Sequence, residues 1–174
     1  VDSANAIGVG SETVNFVTFA VLFFDVDLDG WEDLLTANGH VCGHCDHTRG
    51  AAEQPLVLYK NLAGERMEEC VYSEASGFGR PLLARAAAIG DLDHDGDVDL
   101  VVTQNGADLL LFRNDSPRAE KHSIIVDLRG VASNVHGLGA HVEVRCGESP
   151  PQRRYVSLKT SFMSSSSHEQ FFGL

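Results

Sequence analysis

Two short stretches of this chain each crowd four aspartates into nine residues, and no other feature restricts its fold as strongly. Asp25-Val26-Asp27-Leu28-Asp29-Gly30-Trp31-Glu32-Asp33 and Asp91-Leu92-Asp93-His94-Asp95-Gly96-Asp97-Val98-Asp99 both read DxDxDGxxD, with carboxylates at positions 1, 3, 5 and 9. Like charges this close repel unless a hard cation lies between them, and calcium, which takes oxygen ligands, is the natural occupant. The glycine at position 6 lets the backbone turn sharply enough for the carboxylates to converge. Two calcium sites follow. One is built from Asp25, Asp27, Asp29, the Trp31 backbone carbonyl and Asp33, the other from Asp91, Asp93, Asp95, the Asp97 backbone carbonyl and Asp99. A metal-free Asp/Gly turn is the bland alternative, and recurrence of the four-carboxylate spacing weighs against it.

These loops are not EF-hands, because position 12 of that motif requires a bidentate glutamate and here it holds Thr36 or Val102. The flanks are strand-like instead of helical. Residues 16–24 before the first loop and 99–103 after the second are short, β-branched and aromatic, so each loop is expected to join two strands of a hairpin.

The loops belong to a longer repeat whose copies start 66 residues apart. FFDVDLDGWEDLLTANG, from Phe23, aligns with IGDLDHDGDVDLVVTQNG, from Ile89, with one inserted residue, and LVLYKN (56–61) echoes LLLFRN (109–114). Each unit reads strand, acidic loop, strand, Asn-Gly turn, strand, with a further strand expected near Met67 to Val71 in the first. No stretch reads as an amphipathic helix of useful length, so the fold class is all-β.

These residues resemble the FG-GAP or VCBS-type calcium-loop propellers followed by a small ASPIC/UnbV domain, as in the cartilage acidic protein-like family. The DxDxDGxxDL pattern with its Asn-Gly turn and following LxRN carries the first half of the likeness. Lys121-His122-Ser123-Ile124, Leu128-Arg129-Gly130, the run Gly137 to Val144 and the closing Phe171-Phe172-Gly173-Leu174 carry the second. The resemblance implies two blades of a larger, seven-bladed β-propeller over 1–117 and an ASPIC/UnbV-like β domain over 118–174. It also implies a secreted, extracellular or periplasmic module for cell adhesion or for recognition of a protein or glycan, with calcium in a structural role. Because propellers close with roughly 4 to 8 blades, two blades imply that the remaining blades of a parent chain are partners. Val1 in place of methionine fits a C-terminal piece of a longer protein.

Net charge is −12, which makes nucleic acid and anionic membrane surfaces poor partners. The chain has no apolar run suited to membrane insertion. Two bound calcium ions would bring −12 to −8. Millimolar calcium outside cells would keep even weak loops filled, in keeping with an extracellular or periplasmic setting.

His40, Cys42, His44, Cys45 and His47 fall in an insertion that the second repeat lacks. Thiolate and imidazole suit zinc or copper, a Cys42–Cys45 disulfide is the other reading, and reduced bystanders a third. A transition metal there would support the competing function, a secreted metal-dependent enzyme. The cluster misses the haem-attachment pattern, since Asp46 stands where histidine is required. Cys146, in phase with Val142 and Val144, reads as a small buried residue, and Cys70 could bridge to another cysteine. His94, His122, His136, His141 and His168 join no recognised nucleophile arrangement, and no catalytic motif is present. Ser164 to Ser167 with Arg153-Arg154 read either as a polar recognition surface or, more blandly, as a hairpin and the solvent face of a strand.

Overall fold

The computed structural model describes residues 3–41, 52–116 and 121–174, and its architecture is all-β. A single turn of helix, α1 (Gly10–Thr13), precedes the first sheet. That sheet is an antiparallel meander of β1 (Thr18–Phe24), β2 (Asp33–Asn38), β3 (Val57–Leu62) and β4 (Arg66–Cys70), adjacent in chain order. The second is a three-stranded meander of β5 (Ala84–Gly90), β6 (Asp99–Gln104) and β7 (Leu110–Phe112). Both acidic loops connect the first strand of a sheet to the second, as their flanks predict. The first strands, β1 and β5, also share a register shift at repeat-equivalent places, Thr18/Ala20 and Ala84/Ala87.

Alternation places the core. In β1, Ala20, Leu22 and Phe24 point inward while Val21 and Phe23 point out. They join Leu35, Ala37, Leu56 and Leu58 against Ala84, Ala87, Val98, Leu100 and Val102, so one apolar layer glues the two sheets face to face. The opposite face of the first sheet buries Leu34, Val57 and Tyr59 beneath the N-terminal residues Ile7, Val9 and Phe16. β2 is buried along its whole length because both of its faces are covered.

The Asn-Gly turns of the two repeats serve different needs. Asn38 is fully buried: its Oδ1 accepts from Thr18 Oγ1 at 2.7 Å, and its Nδ2 donates to Pro55 O at 2.9 Å. Gly39 is required by proximity, since a Cβ there would lie 2.7 Å from Ala84 N. Gly106 instead has open space around it and a φ of +75°, so it is required by backbone conformation.

The C-terminal segment forms two small antiparallel pairs, β8 (Ser123–Val126) with β11 (Gln170–Gly173) and β9 (His141–Val144) with β10 (Gln152–Tyr155). Cys146 is exposed, contrary to its expected burial, because β9 ends at Val144 and the chain turns away before the phase can continue. Cys70 is half-buried beside the inter-sheet core, and both thiols are free. No helix of the described residues is long and apolar enough to cross a membrane.

Candidate metal centre

Both acidic loops are folded by the same hydrogen bonds at the same offsets. Position 1 accepts two backbone N–H groups. Asp25 takes Asp29 N–H at 3.0 Å and Gly30 N–H at 2.8 Å, and Asp91 takes Asp95 N–H at 3.1 Å and Gly96 N–H at 3.0 Å. Position 9 ties the loop to the third strand. Asp33 accepts from Val26 N–H at 2.9 Å and Asn61 N–H at 2.8 Å, while Asp99 accepts from Leu92 N–H at 2.8 Å and Asn114 N–H at 2.9 Å. The asparagine closing LYKN and LFRN is thus part of the loop's scaffold. Asn114 Nδ2 reaches across to Val26 O at 2.7 Å and links the two loops.

The backbone agrees residue by residue. Leu28 and His94 at position 4 have φ of 58° and 61°, and Gly30 and Gly96 at position 6 have φ of 90° and 93°. A branched leucine in the left-handed region is strained, and a fixed turn that converges the carboxylates holds it there. As a result, carboxylate oxygens of Asp25, Asp27 and Asp29 lie within 4.8 Å of one another, as do those of Asp91, Asp93 and Asp99. Asp33 and Asp95 fall outside these two groupings. The Asp97 side chain, for which the sequence offered only a backbone carbonyl, is fully buried.

Electrostatics set the two loops apart. Burial raises the Asp25 carboxyl against the opposing Gly30 and Asp29 N–H bonds. Burial likewise pushes Asp33 up to about 6, with Asp27 and Asp25 adding to the rise. Burial works on Asp27 in the same direction, but the Lys60 and Lys121 ammoniums outweigh it and hold that carboxyl low. Asp93 is raised by loss of hydration and by neighbouring Asp95. One oxygen, Asp27 Oδ1, is buried without a hydrogen-bond partner, which is an orphaned anionic acceptor inside the first loop.

The C-terminal segment seats on both loops. Gly173 N–H donates to Asp25 Oδ2 at 3.2 Å, Ser123 Oγ donates to Gly96 O at 2.7 Å, and Lys121 bonds the Asp27 backbone carbonyl. Arg154, nearly buried, pairs with Glu32 at 3.2 Å and lies over the Phe172 ring. Arg153 pairs instead across β9 and β10 with Glu143 at 2.6 Å. Ser166 of the serine run, with Ser161 just before it, fastens strand edges. Ser161 Oγ accepts from Val21 N–H at 2.7 Å and Ser166 Oγ from Ile89 N–H at 3.1 Å, which satisfies the open edges of β1 and β5. Its only sequence signal was a cluster of short hydroxyl side chains. A cleft of about 420 Å³ lies between the first loop and β10, lined in part by Trp31, Glu32, Gln152, Arg153 and Arg154.

The histidines disperse among structural contacts. His168 pairs with Asp127 at 3.0 Å and lies against His136, and His141 lies against Tyr155. His40 sits where β2 leaves the sheet, its carbonyl accepting from Arg85 at 2.9 Å. Cys42, His44, Cys45 and His47 lie outside the described residues.

These features define an all-β protein with paired acidic hairpin loops under a C-terminal β unit. Residues 130–174 match the ASPIC and UnbV family model, so this unit carries an ASPIC/UnbV domain. β8 lies before the matched stretch yet pairs with β11 inside it, so the folded unit begins earlier than the match. No curated protein and no solved structure matches the chain.

Proposed function

We propose that this chain is a calcium-stabilised recognition module, two blades of a larger propeller with the ASPIC/UnbV unit docked across them. The observation that carries the reading is the duplicate loop, the same hydrogen bonds and left-handed positions built twice around three converging carboxylates. The donor set fits a hard divalent cation, being all oxygen and partly desolvated, with one orphaned carboxylate oxygen in the first loop. Asp25, Asp27, Asp29, the Trp31 carbonyl and Asp33 would hold one ion, and Asp91, Asp93, Asp95, the Asp97 carbonyl and Asp99 the other. Position-9 carboxylate oxygens that already accept an N–H keep lone pairs for a metal. A bound cation would supply charge neutralisation, so its binding energy becomes stability of each hairpin.

Repeat equivalence supports the propeller reading. Leu56 and Leu58 bury against the second sheet, whereas their counterparts Leu109 and Leu111 are 63% and 59% exposed. The second sheet thus presents outward the same face that the first sheet presents to its neighbour, the face a further blade would cover. Recognition of a protein or glycan would use the loops and the cleft beside Trp31 and Arg153, in a calcium-rich extracellular or periplasmic setting. Thermal melting of metal-stripped protein with and without calcium tests the central claim. Near two calcium ions per chain and a midpoint at least several degrees higher with calcium are expected. A midpoint indifferent to calcium and to chelator would refute it.

A further inference from the structure

In four places an asparagine or aspartate precedes glycine: Asp29-Gly30, Asn38-Gly39, Asp95-Gly96 and Asn105-Gly106. Such a step carries its own chemistry. The glycine nitrogen can reach the side-chain carbonyl carbon one residue back, and a residue without Cβ leaves that approach open. The nitrogen must be free of a hydrogen bond, and the side chain must be able to turn toward it. Three of the four steps fail this. Gly30 N–H donates to Asp25 at 2.8 Å and Gly96 N–H to Asp91 at 3.0 Å. Gly39 N–H donates to Val17 O at 3.0 Å. Asn38 is fully buried, and its amide is held at both ends by Thr18, Thr36 and the Pro55 carbonyl. Asn105 and Gly106 differ, both being exposed at the start of the connection between β6 and β7. Asn105 N–H donates to Leu83 O at 2.9 Å, so the backbone is anchored on one side of the step only. Among the described residues, the Asn105 side-chain amide and the Gly106 N–H make no hydrogen bond. A Cβ at Gly106 would meet nothing within 4 Å, so the approach is also uncrowded.

We propose that Asn105 is a modification site of the folded chain, where the side-chain amide is lost to the Gly106 nitrogen and replaced by a carboxylate, while Asn38 is protected by its burial. Gly106 N gives up its proton to solvent and attacks Asn105 Cγ. The new N–Cγ bond closes a cyclic imide as the Cγ–Nδ2 bond breaks, and the departing nitrogen takes a proton back from solvent and leaves as ammonia. Solvent water then opens the imide. Breaking N–Cγ leaves aspartate, whereas breaking the bond from Gly106 N to the main-chain carbonyl carbon of residue 105 leaves isoaspartate. The net change is amide plus water to acid plus ammonia, with no oxidation or reduction. Either product adds a negative charge to the connection between β6 and β7. Isoaspartate also lengthens the main chain by a methylene beside Gln104, whose Nε2 fastens Asp108 O at 2.6 Å across the same connection.

The test incubates the folded full-length chain at mildly alkaline pH beside a matched sample unfolded in urea. Peptides spanning each Asn-Gly step are followed by mass spectrometry for the gain that turns an amide into an acid, and isoaspartate is counted by enzymatic methylation. In urea the two steps should convert within about threefold of each other, because both are Asn-Gly in an open chain. In the folded chain Asn105 should stay within about threefold of its urea rate and convert at least about tenfold faster than Asn38, which reacts only from an opened state. Asn105→Gln, a surface change with a longer side chain, should remove the isoaspartate formed by the folded chain. An Asn105 that converts no faster than Asn38 in the folded chain, or about tenfold slower than in urea, would overturn the proposal, and this comparison needs no substitution to fold. Isoaspartate undiminished in folded Asn105→Gln would overturn it as well.

Discussion

At the scale of single residues, equivalent letters in the two repeats carry unequal loads. Asn38 holds a buried network that joins Thr18, Thr36 and the Pro55 carbonyl, whereas Asn105, its partner in the other Asn-Gly pair, is exposed. Replacing Asn38 leaves buried donors and acceptors bare, so Asn38→Ala should cost roughly 2–3 kcal/mol in urea unfolding, and Asn105→Ala less than about 0.5 kcal/mol. Cysteine chemistry should divide the same way. Burial pushes the Cys70 thiol up, while Cys146 stands exposed, so limited alkylation near neutral pH, mapped by mass spectrometry, should label Cys146 well before Cys70. Equal labelling would contradict that placement.

At the scale of elements, β11 is held by a close backbone approach. A Cβ on Gly173 would collide with Asp25 Oδ2 and with the Leu28 backbone, so only glycine lets the terminal strand touch the first loop. Gly173→Ala should detach β11 and β8 from the loop while the first sheet persists. Amide exchange at Phe171 and Phe172 should accelerate at least tenfold, on the order of 1.4 kcal/mol of local opening, with β2 protection unchanged. The serine hairpin complements this seat by giving hydroxyls to the N–H groups of two edge strands, which blunts edges that otherwise invite pairing with another chain.

At the scale of the whole molecule, the two sheets stack face to face, the first offering one of its faces to the second. The N-terminal residues cover the leading face of the first sheet, and the trailing face of the second stays open at Leu109 and Leu111. Leu58→Ala, in the inter-sheet core, should lower stability by roughly 2–4 kcal/mol, whereas the repeat-equivalent Leu111→Ala should stay within about 0.5 kcal/mol. Denaturant melts of the two variants decide this, and a matching loss at Leu111 would mean that its face is covered in solution.

The sequence by itself determined what is local. The acidic spacing, the glycine at position 6 and the β-branched flanks specify two hairpins with converging carboxylates, because turn geometry and strand alternation act over a few neighbouring residues. The 66-residue period likewise announced two like sheets. Tertiary structure alone decided that position 9 braces the third strand, that Ser161 and Ser166 fasten two strand edges, that Cys146 falls outside its strand, and that Lys121 reaches Asp27. Each depends on which distant segments meet, as Gly173 meets Asp25 across 148 residues, and no short-range periodicity encodes such a meeting. The loops could be read from their letters, but the meeting of Lys121 with Asp27 arises only when the chain folds back on itself.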